Sequence, residues 1–475
     1  MQFNSYSYLV LLPIIVAMFW ALPVAARRPY VLLVSVLFYA SWTWMYAPLP
    51  FIICGVVYVC ARQMRAHPGR ARPALWTGVA ITIGLLTFFK YGPFIVENVK
   101  TVIALFRRSP ATATVAVALP LGISFYSFEA ISYLLDTRQN RVKKVSFMDL
   151  SLFVTFWPHL ISGPIVRVRE LVPQLDFDEP FDISMLMRGL DRFVYGLVQK
   201  NLIANSLAGF VDEGFIPQAA AAHTIVDNWF VALAFGLQIY FDFAAYSNMA
   251  IGAAQMVGVR LPENFRFPYH AQNPSDFWSR WHMTLSRWIR DYLFFPITAR
   301  FQAAPVPLYL SLIGIMAIVG LWHGAGWGFI VWGVMHGLYL VAFRVWEAAG
   351  TRRFPGLVKA RPVMAGWRIL TLLAVTAAWI PFRASTQKQA LTMLRGLILT
   401  HGFRPSYSIN LYLITVMVAG FAWLEPMLAD RLQRLEARVP GAARLLWSRP
   451  VVYAAGLVLF LIFDDRDTQF IYFQF

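Results

Sequence analysis

Two histidines stand in the run GLWHGAGWGFIVWGVMHG, residues 320–337, which is otherwise almost wholly apolar. An imidazole taken out of water costs free energy unless it is hydrogen-bonded or put to use. A neutral imidazole is also the side chain best suited to take a proton near neutral pH. His323 and His336 are therefore candidates for proton-transfer chemistry. His323 lies between Trp322 and Gly324, with Gly326 next but one. Glycines interrupt a helix and let other groups come close, so His323 sits where a polar ligand can reach it. His336 follows 13 residues later. Thirteen steps of ~100° leave it roughly 140° away around even an unbroken helix, so the two do not pair by helix geometry.

The other ionisable groups in apolar segments are Lys90, Glu129, Asp136, His159, Lys200 and Asp242. Charges at membrane depth point to function by default. None of them forms a metal-ligand pattern, and no metal is expected. There is no HExxH, no nucleophile elbow, no Walker loop and no dinucleotide fingerprint in a strand–helix setting. That argues against a serine hydrolase, an ATPase and a dinucleotide enzyme. Cys54 and Cys60, the only cysteines, fall in one apolar run and suit neither a disulfide framework nor a metal site.

These residues must be positioned by membrane helices. The 475 residues are 59% hydrophobic and 14% charged, far from the roughly 25% charge of a soluble domain. The net charge of +17 would suggest nucleic acid in a soluble protein. Here the cations lie in short loops between apolar runs, so membrane topology explains them and no nucleic-acid partner is expected. A span needs about 20 apolar residues. Candidates are 7–26, 30–46, 49–61, 75–94, 113–134, 190–210, 228–258 (either continuous or broken), 305–322, 326–344, 364–382, 409–425 and 450–463. Some are short or interrupted, so the expectation is an all-α polytopic membrane protein with about eleven transmembrane helices. No linker separates two domains, and residues 1–475 read as one integral-membrane domain. Arg27–Arg28, the Arg62–Arg72 cluster, the loop at Arg138–Lys144, the loop at Arg344–Arg361 and the run Arg431–Arg444 should face the cytosol. Both termini are then outside, with FIYFQF (470–475) on the outer face. The first apolar segment reads as a retained helix, not a cleaved signal.

Two stretches are not simple spans. LSLFVTFWPHLISGPIVR (150–167) carries Pro158, His159, Gly163 and Pro164 in an apolar run. It reads either as a re-entrant segment beside a cavity or as a Pro-kinked packed helix. SDFWSRWHMTLSRWIRDYLFFPI (275–297) begins at good N-cap residues, Ser275 and Asp276. Trp278, Trp281, Leu285, Trp288 and Tyr292 then form one helical stripe, with Arg280, Arg287 and Asp291 opposite. This reads as a continuous interfacial helix whose aromatic side faces the membrane, with His282 turned toward the protein body.

NFRFPYHAQNPSDFWSRWHMTLSRWIRDYLFFP (264–296) followed by GLWHGAGWGFIVWGVMHG resembles the membrane-bound O-acyltransferase family. It is most similar to the bacterial branch that acetylates alginate and other exopolysaccharides. LPLGISFYSFEAISYLLD (119–136), FWPHLISGPIVR (156–167), QIYFDFAAYSNMAIG (238–252) and the terminal YFQF extend the resemblance over nearly the whole chain. Where relatives often have a Gly-rich patch, this chain reads ITARFQAAPVP (297–307).

The resemblance implies a bundle with re-entrant and interfacial helices around a central tunnel in the bacterial inner membrane. It implies that His323 is catalytic, with His282 of RWH as the second active-site histidine. It also implies that His159, Tyr240, Asp242, Tyr246, Ser247, Asn248 and Trp322 line the substrate chamber. The expected reaction is acetyl transfer from a cytosolic acetyl thioester, acetyl-CoA, with no permanently bound cofactor. His323 would act as general base, and His282 would hydrogen-bond the acyl carbonyl or orient the donor. Arg280, Arg287 and Arg290 would suit coenzyme A phosphates or, equally, lipid headgroups. Relatives work with a separate periplasmic SGNH-type acetyltransferase that passes acetyl to the polymer. Tyr472 is then a candidate acyl carrier, against the simpler reading of FIYFQF as an aromatic-belt anchor. Alginate is the first candidate acceptor, with cellulose and peptidoglycan open. Rival readings are a transporter or flippase for an acylated lipid or glycan, and acylation of a protein or lipid.

Overall fold

The computed structural model describes residues 1–106, 118–299, 301, 304–354, 356, 360–399, 402–438, 453, 456 and 470–471. Eight helices among them are long and apolar enough to cross a membrane: Val24–Tyr46, Leu49–Ala66, Pro68–Ala104, Ile225–Met256, Pro305–His323, Trp327–Arg353, Arg361–Arg383 and Ile409–Arg431. The described chain is all-helical, a multi-pass membrane protein. The sequence points to about eleven spans. Tyr6–Ala21 and Ile123–Arg138 are helices of 16 residues each, or about 24 Å, short of a hydrocarbon core of ~30 Å. The expected 450–463 span lies almost wholly outside the described residues. Of the two readings of 228–258, the structure has the continuous one, a single helix Ile225–Met256.

The chain packs as two compact units, one of Met1–Phe193 with Tyr246–Pro262, the other of Val194–Ala245 with Glu263–Phe475. In the first, Gly189 and Gly252 lie back to back. A methyl group on Gly189 would meet the Gly252 carbonyl at 2.8 Å, so only glycine permits this approach of two helices. Residues 150–167 are not a kinked helix. The helix Phe147–Thr155, opened by a Ser146–Asp149 capping box, stops before Phe156. The chain then turns without helix to Arg167, buried throughout. Irregular backbone inside a membrane protein must find partners within it. Ser35 Oγ accepts from Trp157 N at 3.2 Å, and Glu129 Oε1 accepts from Val166 N at 3.4 Å.

In the second unit, Pro305–His323 and Trp327–Arg353 form a tight antiparallel hairpin. A methyl on Gly320 would strike the Phe329 carbonyl, one on Gly333 the Met316 carbonyl, and one on Gly337 would lie 2.8 Å from Ile313 Cα. Residues 275–297 differ from the expected continuous helix. Asn273, not Ser275, caps the start, accepting from Asp276 N at 2.8 Å, with Pro274 at the first helical position. The helix ends at Arg280. Trp281 is extended, and His282 adopts a left-handed conformation at φ 42. A new helix runs over Met283–Ile289 and passes into a wider π turn at Arg290–Phe294. The aromatic stripe does not face lipid. Trp281, Trp288 and Tyr292 are 2%, 3% and 6% exposed, packed into the unit itself.

Candidate active site

The break at Trp281–His282 frees main-chain donors that a continuous helix would have used, and Asn264 takes them. Its carbonyl accepts from Met283 N at 2.8 Å. Its side-chain oxygen accepts from Thr284 Oγ1 at 2.8 Å, from Thr284 N at 3.4 Å and from His282 Nδ1 at 3.0 Å. An amide oxygen only accepts, so Nδ1 of His282 carries the proton. The same assignment leaves Nε2 as a lone pair. Nε2 is buried and has no hydrogen-bond partner among the described residues. Burial holds the imidazole neutral, down to about 3. The left-handed backbone costs of order 1–3 kcal/mol and is retained here at a fully buried histidine.

His323 is the last residue of its helix, ended by Gly324. Its ring centroid lies 6.3 Å from that of His282. Around the pair stand Trp322, 4.9 Å from His323, Trp332 at 5.1 Å and Phe382 at 5.6 Å. Phe243 packs at 4.8 Å on His282. Two imidazoles thus share one aromatic shell. His336 belongs to the far side of Trp332's contacts. It packs on Trp332 at 4.8 Å, Trp278 at 5.2 Å and Phe277 at 5.9 Å.

Several expected substrate-lining groups of this unit are committed to internal partners. Tyr240 OH donates to Glu425 Oε2 at 3.1 Å, and Glu425 Oε1 accepts from Tyr195 OH at 2.5 Å. Asp242 pairs with Lys200 at 2.7 Å and accepts from Ile471 N at 2.7 Å. Arg280 is paired with Asp276 at 2.8 Å and Arg290 with Asp291 at 3.0 Å. Arg287 donates to the Glu263 carbonyl at 3.3 Å. Tyr472 lies outside the described residues. The two residues before it are buried, at 3% and 4% exposure, not set out in an aromatic belt. Phe470 packs 5.9 Å from Phe243.

The remaining expected residues lie in the first unit. His159 Nδ1 is 3.0 Å from Glu129 Oε1, both nearly inaccessible. The backbone of Ser162 hydrogen-bonds Tyr246. Asn248 Oδ1 accepts from Arg192 Nε at 2.8 Å, and Ser247 is buried. Asn264 and Glu425 were not singled out from the sequence. For Asn264 a signal existed, an amide opening the NFRFPYH motif 18 residues before the histidine it serves. Among the described residues no three His, Cys, Asp or Glu side chains gather into a metal site.

The membrane-bound O-acyltransferase family matches residues 94–380, a stretch that holds both histidines. The chain is 37% identical to a probable alginate O-acetylase of Azotobacter vinelandii, over 81% of this chain and 78% of that protein. It is 34% identical to a peptidoglycan O-acetyltransferase of Helicobacter pylori, over 78% and 74%. It is 33% identical to a probable alginate O-acetylase of Pseudomonas putida across the full length of both. With the paired histidines in their aromatic shell, an all-helical membrane fold and this similarity, the chain belongs to the membrane-bound O-acyltransferase family and is an acyltransferase.

Proposed function

We propose that the chain moves acetyl groups from a cytosolic acetyl thioester, acetyl-CoA, across the inner membrane for O-acetylation of an extracytoplasmic polysaccharide. Alginate is the first candidate polymer, given the names of the relatives; peptidoglycan is the second. The observation that carries this reading is the pairing of His282, with Nε2 bare, and His323 within one buried aromatic shell.

The chemistry follows from proton positions. An acceptor hydroxyl gives its proton to a neutral imidazole as its oxygen forms a bond to the thioester carbonyl carbon. The C–S bond then breaks, and the imidazolium returns the proton to the departing thiolate. We assign His323 as the base. General-base help is worth about 10²–10⁴-fold, and water is excluded by Trp322, Trp332 and Phe382. His282 in its present tautomer is an acceptor and cannot donate to an acyl oxygen. That favours a second assignment within the same reaction, with His282, steered by Asn264, as the base. Of the three arginines expected to meet donor phosphates, Arg280 and Arg290 are offset by carboxylates, which weakens that part of the expectation.

The acceptor is a carrier in this reading. A periplasmic SGNH-type acetyltransferase then completes transfer to the polymer. Tyr472 as that carrier is supported by the anchoring of Phe470 one ring away from His282. The test is a discharge assay. Purified protein given acetyl-CoA should release coenzyme A, and His323→Ala should abolish release while His282→Ala reports the second assignment. Substrate flux that persists undiminished in His323→Ala would support a transporter instead. An acetyl adduct on the C-terminal peptide, absent in Tyr472→Phe, would identify the carrier.

A further inference from the structure

Arg368 lies seven residues into the helix Arg361–Arg383, about 10 Å along it. It is half-buried, and among the described residues no carboxylate pairs with it. Its guanidinium lies over the Trp423 ring at 4.0 Å. Its Nη2 is 3.3 Å from His270 Nδ1. The other nitrogen of His270, Nε2, is 2.7 Å from the Trp423 carbonyl. A carbonyl only accepts, so Nε2–H donates and Nδ1 is left as the acceptor for Arg368. His270 is thus neutral and spent on holding the guanidinium, with its ring stacked on Trp423 at 4.8 Å. Burial, as the largest effect, keeps it neutral. The Trp423 bond opposes that, and the charges of Arg368 and Arg280 add to it.

Arg280 is the second cation here. Its carbonyl accepts from Arg266 N at 2.9 Å, which ties Arg266 to the same place. Its own charge is offset by Asp276. Arg368 has no such offset. Its Nε is buried with no acceptor among the described residues. A guanidinium fixed by a neutral histidine and an aromatic face, beside a second arginine, with N–H donors unused, is costly unless an anion completes it. Planar fork-shaped donors match phosphate oxygens.

We propose that Arg368, positioned by His270 and Trp423 and assisted by Arg280, binds a phosphate group of an anionic ligand. The phosphate belongs either to coenzyme A or to an anionic phospholipid headgroup. The coenzyme A source rests on the donor reading above; the site itself does not.

The test uses the full chain in dodecyl maltoside micelles. Coenzyme A and pantetheine are titrated calorimetrically, and thermal stability is measured with phosphatidylglycerol against phosphatidylcholine. Arg368→Gln should leave the ligand-free melting temperature unchanged or raised, since it removes an unpaired cation; a purely structural stacking role would lower it. If the phosphate is the donor's, Arg368→Gln weakens coenzyme A by about tenfold or more and leaves pantetheine unchanged. If it is a headgroup's, the variant loses the extra stabilisation by phosphatidylglycerol and leaves coenzyme A binding as it was. Arg368→Lys keeps the charge without the fork and should fall between wild type and Gln. A wild type that binds no coenzyme A, but is stabilised by phosphatidylglycerol through Arg368, keeps the site and sinks the donor reading. No change in either ligand response with Arg368→Gln overturns the proposal.

Discussion

Two imidazoles are buried with the same nitrogen tied down, one by an amide and the other by an acid. Asn264 accepts from Nδ1 of His282, and Glu129 accepts from Nδ1 of His159. In both, Nε2 is buried and has no hydrogen-bond partner among the described residues. The chemistry of the partner separates them. An amide oxygen can only accept, so it fixes the tautomer of His282. Glu129 Oε1 is shared between His159 Nδ1 and Val166 N. His282 therefore keeps Nε2 as an acceptor, with its tautomer set by Asn264. The His159–Glu129 pair braces the turn at 156–167, joining its ring and the Val166 amide to one carboxyl oxygen. The lesson is that an unpaired Nε2 alone does not mark a catalytic base; the group behind Nδ1 decides what the ring can do.

The comparison can be broken most severely at the catalytic end. His323→Ala should reduce coenzyme A release by about 10³-fold, within the usual range for general-base loss, with the melting temperature held. Single-turnover assays on purified protein check this. Glu129→Leu should act mainly on stability, by about 3 kcal/mol, because it leaves His159 and Val166 N without their acceptor. A fall in melting temperature larger than the fall in residual rate per folded molecule would bear this out; the reverse would place His159 in the chemistry. Asn264→Leu should lower the rate by roughly 10²-fold through loss of the tautomer, less than a charged orienting partner costs. Asn264→Asp sharpens the contrast. It puts a carboxylate behind Nδ1 of His282, which favours an added proton, so the acid limb of the rate–pH profile should move to higher pH than in wild type.

The smallest effect is on stability against pH. His282 is depressed from its ordinary 6.5 to about 3 in the folded chain. The unfolded chain therefore binds a proton first as pH falls. Stability contributed by the neutral ring is present above about 6.5 and declines below it. His282→Gln should flatten that slope in a series of melting curves.

Residue types alone single out His323, and the family resemblance adds His282. His323 and His282 sit in motifs whose order and composition identify them, and the glycines around His323 mark a helix junction that is present. The break at Trp281–His282 could not be read. Trp278, Trp281, Leu285, Trp288 and Tyr292 keep helical spacing across it, and the force that opens the helix comes from Asn264, far back in the chain. Nor does periodicity say what an apolar stripe faces. Within a membrane protein, lipid and protein interior select the same side chains, so Trp288 and Tyr292 read as lipid-facing although they are buried. The cap at Asn273 was legible in principle, since Asn before Pro is a strong helix-start signal. Glu425 stood at the end of the expected span 409–425 beside Pro426, and nothing near it in the sequence marks it. Its burial depends on Tyr195, Gln199 and Tyr240, whose hydroxyls and amide meet it only in the folded chain.

The left-handed backbone at His282 narrows what can replace it. Alanine or a branched side chain would carry a conformational penalty as well as lose the ring, whereas glycine accepts φ 42 without cost. His282→Gly is thus the cleaner deletion, and it would leave a ring-sized hole walled by Phe243 and floored by the Asn264 oxygen. Such a hole is suited to chemical complementation. Free imidazole diffusing into it would meet the acceptor that once held the side chain, and recovered coenzyme A release would assign the base to His282 rather than His323.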